Sequence, residues 1–235
     1  MGKKKSHQNI TIVTAGNKPF KRVLSFSKKQ ADSLGYKMVI FDLGGLGFGI
    51  PSEVVDDSFH SKGYYQIISG TWKTKAIHKP DIIKKSLSSN DWVAYLDGDA
   101  VPFKNFDEII GDYDIGVTVR RPEELELETI ASHREVMGWV NAGVIFFNNN
   151  HKTRIFIEKW YFLTNHLKND QLALNRLINP DNKPLKWGES WDVNGVRVKS
   201  FSTNKYNFYY FDENASAAKI VHYRNNEWNK LISFL

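Results

Sequence analysis

The feature that most constrains this fold is a β-α-β pattern in the first forty residues. Residues 10–13 form a β-branched run that predicts a buried strand, and residues 37–41 predict a second one. Between them, apolar side chains recur at helical spacing from Pro19 to Gly35, residue types that are typical of a helix start and a helix end. Because the linking loops are short, the two strands must run parallel. The pattern therefore predicts an α/β fold.

The rest of the chain continues this alternation of strands and helices. Residues 92–96 are nearly all apolar and predict a strand that is buried on both faces. Residues 42–50 contain four glycines and predict a loop, and residues 179–195, rich in polar turn formers, predict another. Further strands are predicted at 114–119, 140–147, 196–201 and 219–221, and helices at about 79–87, at 151–163, at 170–178 and in the tail at 225–235.

Composition limits the chemistry that the chain can support. The chain has no cysteine, which excludes disulfides and thiolate metal sites. Any metal must be held by oxygen or by histidine nitrogen, and that set suits Mg²⁺ or Mn²⁺ better than structural zinc. The net charge of +6 favours anionic partners such as nucleotides, phosphates, nucleic acid or anionic lipid. Part of it lies in residues 1–8, which we predict to be a disordered basic arm.

The chain shows no long apolar segment. No N-terminal run resembles a signal peptide, and no stretch approaches the ~20 apolar residues of a membrane span. We therefore expect a cytoplasmic protein without a transmembrane segment.

The strongest candidate for a functional site is Asp97-Gly98-Asp99, directly after the strand predicted at 92–96. In an open parallel sheet, the carboxyl ends of the strands face the ligand crevice. Two carboxylates there are costly unless they are compensated, and a divalent cation that bridges them to a diphosphate would do so. Gly98 would let the backbone approach a bulky ligand. On spacing alone, a turn with one capping and one solvated aspartate is an equal alternative.

The same residues also resemble the nucleophile motif of haloacid-dehalogenase-type phosphatases, in which Asp97 would be a covalent nucleophile. That motif normally ends the first strand of its fold, whereas two predicted strands precede it here. It also needs a later strand that ends in a pair of acids for Mg²⁺, and we find none downstream. We therefore rank a phosphatase below a site that binds a cation and a diphosphate.

Several short motifs, taken in their order, make residues 10–224 resemble the GT-A type of glycosyltransferase. The ordered combination is far more specific than any single piece, and it is most similar to the branch of glycogenin-like and bacterial galactosyl- or glucosyltransferases. The motifs are Ile12-Val-Thr-Ala-Gly16, Phe41-Asp42, Lys79-Pro80, Tyr95-Leu-Asp-Gly-Asp-Ala100, Asn141-Ala-Gly-Val-Ile-Phe-Phe-Asn148, Asn169-Asp-Gln171 and Ile220-Val-His-Tyr-Arg224.

The resemblance implies a fold and an activity. The fold would be a GT-A, Rossmann-like α/β fold with a mixed, mostly parallel sheet flanked by helices. It would form a single domain at 9–235, with a nucleotide-binding half at about 9–120 and an acceptor-side half at about 121–235. The activity would be the metal-dependent transfer of a sugar from a nucleoside-diphosphate sugar, with UDP favoured, to an acceptor hydroxyl.

The resemblance also implies which residues bind the donor. Thr14, Ala15 and Gly16 would hold the nucleobase and ribose, and Lys79 would reach the nucleotide. A solvated helix face for Lys79 and a turn at strand entry for 141–143 stay open as alternatives. The remaining implied donor-binding residues are Asp97, Gly98, Asn141, Gly143, Gln171 and Arg224. Some relatives carry a Gly-Lys segment after the histidine of the last motif, whereas this chain carries Arg224 in that region.

For the metal, the resemblance implies Asp97, Asp99 and His222 as ligands of Mn²⁺ or Mg²⁺. It places Asp170 near the transferred sugar, although an aspartate that opens a helix is also a common N-cap. If the reaction inverts the anomeric centre, a carboxylate must act as base, and Asp170 and Glu189 are the candidates. If the reaction retains it, the leaving phosphate can take the proton.

Two other classes of function stay open at this level. A sugar-phosphate nucleotidyltransferase shares the aspartate at the strand end but usually has a basic glycine-rich loop after its first strand, of which residues 14–18 are a poor version. A non-catalytic sugar-nucleotide or glycan-binding module would not need both Asp99 and His222. The acceptor would be a glycan, a lipid-linked or another hydroxyl-bearing substrate. A nucleic acid is disfavoured because aromatic-basic repeats are absent.

Overall fold

The computed structural model describes residues 10–43, 78–125, 138–210 and 215–223. Four features of the sequence analysis lie outside these residues: the basic arm at 1–8, most of the glycine-rich segment 42–50, Arg224 and the tail helix at 225–235. Within the described ranges, no helix is both long enough and apolar enough to cross a bilayer.

The strands and helices alternate along the chain as an α/β fold requires. The strands are β1 (Ile10–Gly16), β2 (Lys37–Asp42), β3 (Trp92–Leu96), β4 (Ala100–Pro102), β5 (Ile115–Val119), β6 (Val140–Asn148), β7 (Ser190–Val193), β8 (Val196–Ser202) and β9 (Ile220–His222). The α-helices are α1 (Lys21–Leu34), α2 (His78–Leu87), α3 (His151–Leu167), α4 (Asp170–Ile178) and the single turn α5 (Thr203–Tyr206).

Seven strands form one sheet in the order β2-β1-β3-β6-β5-β8-β7. β1 pairs in parallel with β2 and with β3, and β5 pairs in parallel with β8. β6 is antiparallel to both of its neighbours, β3 and β5, and the edge strand β7 is antiparallel to β8. Five of the seven strands therefore run in the same direction, which confirms the mixed, mostly parallel sheet. β4 and β9 form a separate antiparallel ribbon.

The first β-α-β unit forms as predicted, and local sequence explains its boundaries. α1 buries Val23, Leu24 and Ala31 on one face. It ends at Gly35, whose φ of 85° lies in the left-handed region that favours glycine. The amide of Gly35 then donates to a carbonyl of the last turn, which gives that carbonyl a hydrogen-bond partner within the chain. β2 follows at once and pairs in parallel with β1.

Two strands were absent from the sequence prediction. β7 lies inside residues 179–195, which were expected to be a loop; it alternates polar and apolar residues, but over only four positions inside a polar, turn-rich segment. A tight turn with Asn194 and Gly195 at positive φ joins it to β8. β4 has only three residues, and it is stabilised by pairing with β9, a strand more than a hundred residues later in the sequence. Such pairing is invisible to local pattern.

Helices cover both faces of the sheet. α2, α3 and α4 bury Ile83, Trp160 and Leu174 against one face. α1 and the segment around Phe106 cover the other. The side chains of β3 alternate between these two cores, and all five are buried, as the apolar run predicts. Both faces of the sheet are therefore covered by helices or loops, and a ligand can approach the sheet at the ends of its strands.

Candidate active site

The candidate site lies at the end of β3. After the strand, the chain makes a tight turn in which the amide of Ala100 donates to the carbonyl of Asp97 at 2.8 Å. Gly98 is required in this turn because a Cβ would lie 2.8 Å from the carbonyl oxygen of Ala15 at the end of β1. The glycine therefore serves the packing of protein against protein here, whether or not a ligand also approaches it.

The ribbon of β4 and β9 brings a histidine to this turn. Ala100 is paired with His222, so the imidazole lies beside the two aspartates. Nε2 of His222 is 3.0 Å from Oδ1 of Asp99 and 4.0 Å from Oδ2 of Asp97. One ligand atom from each of the three residues lies within 4.8 Å of the others. Two carboxylates and one imidazole in this arrangement fit a divalent cation such as Mn²⁺ or Mg²⁺.

Lys79 connects the metal-type cluster, which consists of Asp97, Asp99 and His222, to α4. Its Nζ lies 3.0 Å from Oδ1 of Asp97 and 2.6 Å from Oδ2 of Asp170, and it donates to the carbonyl of Ala142 at 2.9 Å. The residue is only 8% exposed. The amine is therefore buried and fully engaged, and the alternative of a solvated helix face is excluded. The ammonium group of Lys79 thus joins Asp170 to the cluster.

The pKa values of Lys79 and Asp97 are both shifted in the direction that favours the charged form. Burial by itself lowers the pKa of Lys79, but Asp170 and Asp97 outweigh it, and the pKa lies above the ordinary value of 10.5. Burial raises the pKa of Asp97, whereas Lys79 and His222 lower it, and the net pKa lies below the ordinary value of 3.8. The hydroxyl of Tyr95 also hydrogen-bonds Asp97 and stabilises the carboxylate. The site therefore presents Asp97 as an anion at neutral pH.

Asp170 is the first residue of α4 and not its cap. The side chain of Asn169 accepts from the amide of Leu172 at 2.9 Å and caps the helix. The N-cap alternative for Asp170 is therefore wrong, and its carboxylate is left to face Lys79. The indole of Trp160 donates to the backbone carbonyl of Asp170 at 2.9 Å and fixes the start of the helix against α3.

A bulge at the start of β6 organises the site. The register between β5 and β6 shifts from Val117–Ile145 to Thr118–Asn141, so β6 gains extra residues there. The site residues hydrogen-bond the displaced backbone: Gln171 Oε1 accepts from the amide of Ala142 at 3.2 Å, Lys79 donates to the carbonyl of Ala142, and the amide of Asp97 donates to the carbonyl of Gly143 at 2.8 Å. Bulges commonly re-aim side chains beside active sites.

Asn141 and Gly143 belong to this bulge, which excludes the alternative of a turn at strand entry. Oδ1 of Asn141 accepts from the amide of Gly143 at 2.7 Å and from Nδ2 of Asn207 at 2.9 Å. A Cβ at Gly143 would lie 2.5 Å from Cε1 of His222. Both residues were predicted to bind the donor, which stays a prediction; the described contacts place Gly143 directly beside the imidazole of His222 and join Asn141 to it through Asn207.

The end of β1 carries unsatisfied polar atoms. Oγ1 of Thr14 and Oδ1 of Asn17 are buried and have no hydrogen-bond partner among the described residues. Buried polar atoms of this kind cost free energy unless a ligand or water satisfies them. A Cβ at Gly16 would lie 2.7 Å from Cδ1 of Leu24, so the glycine also permits α1 to pack closely. This is the segment predicted to meet the nucleobase and ribose.

Glu189 is placed differently from the other predicted residues. It is exposed, and its carboxylate accepts from the amide of Lys186 in its own turn. The nearby tryptophans are also fixed by the protein: the Trp187 indole donates to the carbonyl of Val119 at 3.0 Å, and the Trp191 indole donates to that of Ile178 at 2.8 Å. No contact in the described structure joins Glu189 to the cluster of Asp97, Asp99 and His222.

The sequence analysis assigned no role to two residues of the site, Tyr95 and Asn207. Tyr95 precedes Asp97 by two positions, a spacing that favours one side of an extended chain, but it entered only as part of an apolar strand and of the motif that follows it. Asn207 belongs to none of the motifs that the sequence analysis singled out. Its burial and its contacts depend on three separate strands, so no local pattern shows them.

A cavity of about 590 Å³ lies at the opposite end of the sheet from this cluster. Asp114, at the start of β5, lines it, and both carboxylate oxygens accept hydrogen bonds, from Asn150 and from the amide of Arg197. Among the described residues, the meeting of two carboxylates and an imidazole occurs at the end of β3 and not in the lining of this cavity. The chemistry of the molecule therefore points to the Asp97 end.

Solved structures share this architecture. A glycosyltransferase involved in the glycosylation of the major capsid of PBCV-1 is 12% identical, with a TM-score of 0.60 over 97% of this chain and 100% of that chain. The galactosyltransferase LgtC, in complex with donor and acceptor sugar analogs, is 16% identical, with a TM-score of 0.52 over 92% of this chain and 87% of that chain. GlyE of Streptococcus pneumoniae TIGR4 is 18% identical, with a TM-score of 0.51 over 93% and 56%. The chain therefore has the GT-A fold.

The sequence itself supplies the family. Residues 49–229 match the nucleotide-diphospho-sugar transferase family, and no curated protein matches the chain. Since the family match spans well over half of the residues, the chain belongs to the nucleotide-diphospho-sugar transferases. The protein is a glycosyltransferase, and the interpretation of Asp97 as a phosphatase nucleophile is set aside.

Proposed function

We propose that this glycosyltransferase takes its sugar from a nucleoside-diphosphate sugar, UDP-sugars being favoured, and that transfer depends on Mn²⁺ or Mg²⁺. The observation that carries the proposal is the meeting of Asp97, Asp99 and His222 at the end of β3. The two carboxylates supply the oxygen ligands that Mg²⁺ and Mn²⁺ prefer, His222 adds one nitrogen ligand, and a cation bound there would stabilise the charge of the departing diphosphate.

The chain's own residues have distinct roles in this proposal. Asp99 and His222 hold the cation, and Asp97 is shared between the cation and the ribose of the donor. Lys79 is too deeply engaged to extend to the nucleotide from its present position, so it orients Asp97 and Asp170 through its two ion pairs. Asp170 thereby faces the space beside the cluster, where the transferred sugar would lie.

The nucleoside would lie at the end of β1. The buried, unpartnered Thr14 hydroxyl and Asn17 side-chain oxygen supply a donor and an acceptor for a base or ribose. Ala15 and Gly16 offer a small surface beside them. Among the remaining predicted donor contacts, Gln171 lies one residue after Asp170 at the start of α4, and Arg224 directly follows the last described residue.

Which group acts as the general base that takes the acceptor's proton depends on the stereochemistry of transfer. If the anomeric centre is inverted, we propose Asp170 ahead of Glu189 as the general base, because Asp170 is joined to the cluster through Lys79, whereas Glu189 is exposed and no described contact joins it to the cluster. If it is retained, the leaving phosphate accepts the acceptor's proton, and Asp170 acts by charge and position. The acceptor is a hydroxyl of a glycan, a lipid-linked sugar or a similar substrate.

The decisive experiment is a donor screen. The protein is incubated with Mn²⁺ and a panel of nucleotide sugars, and free nucleoside diphosphate is measured. We expect release from at least one donor, most readily a UDP-sugar, and a fall of at least about 100-fold in Asp99→Ala because a ligand of the cation is lost. Asp192→Ala, which changes an exposed aspartate at the other end of the sheet, is the matched control. Release from no donor, or equal release by Asp99→Ala, would contradict the proposal.

A further inference from the structure

Asn207 lies directly after α5 and is completely buried. Its side-chain amide bonds three residues from three different strands. Oδ1 faces Nδ1 of His222 at 2.9 Å, and Nδ2 donates to Oγ1 of Thr118 and to Oδ1 of Asn141, each at 2.9 Å. A single side chain therefore ties β9, β5 and β6 together directly behind the histidine.

The orientation of this amide follows from its neighbours. Oδ1 of Asn141 already accepts from the amide of Gly143, so it must be an acceptor toward Asn207 as well. Asn207 must then present its NH₂ group to Asn141, and its oxygen is left facing His222. An amide oxygen only accepts, so Nδ1 of His222 carries the hydrogen of this bond.

This bond fixes which nitrogen of the imidazole is available. A neutral imidazole with its hydrogen on Nδ1 has a lone pair on Nε2. Nε2 is the atom that lies 3.0 Å from Asp99. The two carboxylates on that side would instead favour a hydrogen on Nε2, which would prevent the nitrogen from binding a cation. The amide and the carboxylates therefore favour opposite tautomers.

We propose that Asn207 is the positioning residue that holds His222 in the Nδ1–H tautomer and aims its Nε2 lone pair at the cation site. The proposal rests on the cation-dependent function proposed above. It assigns Asn207 no contact with donor or acceptor: the residue acts only through His222. Partners of this kind behind a metal-binding histidine commonly change metal affinity by 10- to 100-fold.

The test compares Asn207→Leu with Asn207→Asp. Leucine removes the acceptor for Nδ1, whereas aspartate keeps it and loses the NH₂ group that bonds Asn141 and Thr118. Mn²⁺ affinity is measured by titration calorimetry on the full chain, and the imidazole nitrogens of His222 are observed by ¹H–¹⁵N NMR in the Mg²⁺-loaded protein. Asn179→Leu replaces another buried asparagine, whose side chain bonds only the loop at Lys183 among the described contacts, and controls for general destabilisation.

We expect the wild-type protein to show a hydrogen-bonded Nδ1–H on His222. Asn207→Leu should lose about 10- to 100-fold in Mn²⁺ affinity, while Asn207→Asp and Asn179→Leu should keep most of it. Equal losses in the leucine and aspartate variants would overturn the proposal, because they would show that the clamp on Asn141 matters and not the bond to His222. A hydrogen on Nε2 in the wild type would overturn it too, even if Asn207→Leu fails to fold.

The two proposals fail in different ways. If the wild-type protein binds no Mn²⁺, the cation-dependent function and this inference are both contradicted. If the wild type binds Mn²⁺ and all three variants bind it equally, only the role of Asn207 is contradicted, and the metal site stands.

Discussion

At the scale of single residues, the site depends on glycines, which leave room for their neighbours, as much as on the charged side chains. Gly143 and His222 show this most clearly. The imidazole packs against the backbone of the β6 bulge so closely that a Cβ at Gly143 would lie 2.5 Å from Cε1 and 2.8 Å from Nδ1 of the ring. Real Cβ atoms do not approach other atoms so closely, so the glycine is a steric requirement of the metal-type cluster.

We predict that Gly143→Ala displaces His222 from the two aspartates. Mn²⁺ affinity, measured by titration calorimetry, should fall by at least about 10-fold, the effect typical of disturbing the support of a metal ligand. Gly111→Ala is the matched control, because the nearest atom to its Cβ would be a tyrosine ring carbon at 3.3 Å, which a small adjustment relieves. Unchanged affinity in Gly143→Ala would show that His222 does not bind the cation.

At the scale of elements, the short strand β9 is the weak point of the site. It has three residues, yet it delivers His222. Glu108 anchors the approach to it by accepting from Lys219, Lys205 and Tyr206. Burial raises the pKa of Glu108, but the hydrogen bonds from Lys219, Tyr206 and Lys205 lower it to about 2. The carboxylate thus holds β9 and α5 together from outside the cluster.

We predict that Glu108→Gln loses stability in a pH-dependent way. Because the folded pKa lies below the unfolded value of 4.5, the contribution of the carboxylate is present above pH 4.5 and is lost as the pH falls toward 2. The side chain is 40% exposed, so solvent screening limits the loss at pH 7 to about 1 kcal/mol. Urea unfolding of both proteins at pH 7 and pH 3 measures the difference.

Glu123→Gln, which changes an exposed glutamate, should leave the unfolding free energy unaltered at both pH values and serves as the control. A difference between wild type and Glu108→Gln that stays constant from pH 7 to pH 3 would show that ionised Glu108 does not anchor β9.

At the scale of the whole molecule, the proposed cation would link segments that are far apart in the chain. Asp97 and Asp99 follow β3, and His222 ends β9. A ligand that binds only when these segments are assembled must stabilise the folded state as a whole. The same reasoning makes unfolding a readout of the site that needs neither donor sugar nor acceptor.

We predict that Mn²⁺ raises the melting temperature of the wild-type protein. At about 100 times the dissociation constant, the gain is about 2.7 kcal/mol, which corresponds to a shift of roughly 5 to 10 °C for a chain of this size. Differential scanning calorimetry with Mn²⁺ and with excess EDTA measures it. Asp99→Ala should show almost no shift, while Asp192→Ala should behave like the wild type; an equal shift in Asp99→Ala would place the cation elsewhere.

Much of the fold could be predicted from sequence because its elements are specified locally. The apolar run of β3, the spacing of α1 and the glycine after it each depend on neighbours in the chain, and they formed as expected. β4 and β7 were not predicted, since the first depends on its pairing with β9 and the second alternates polar and apolar residues over only four positions within a polar segment.

The sequence by itself determined the residue types of the site and their order: two aspartates at a strand end, a histidine at a late strand, and an Asp-Gln pair at a helix start. Only the tertiary structure decided how they act together. It buried Lys79 between Asp97 and Asp170, left Glu189 exposed, and set Asn207 behind His222. The physical reason is that charge pairing and steric fit depend on distances in space. The bulge in β6 and the short ribbon of β4 and β9 set those distances here.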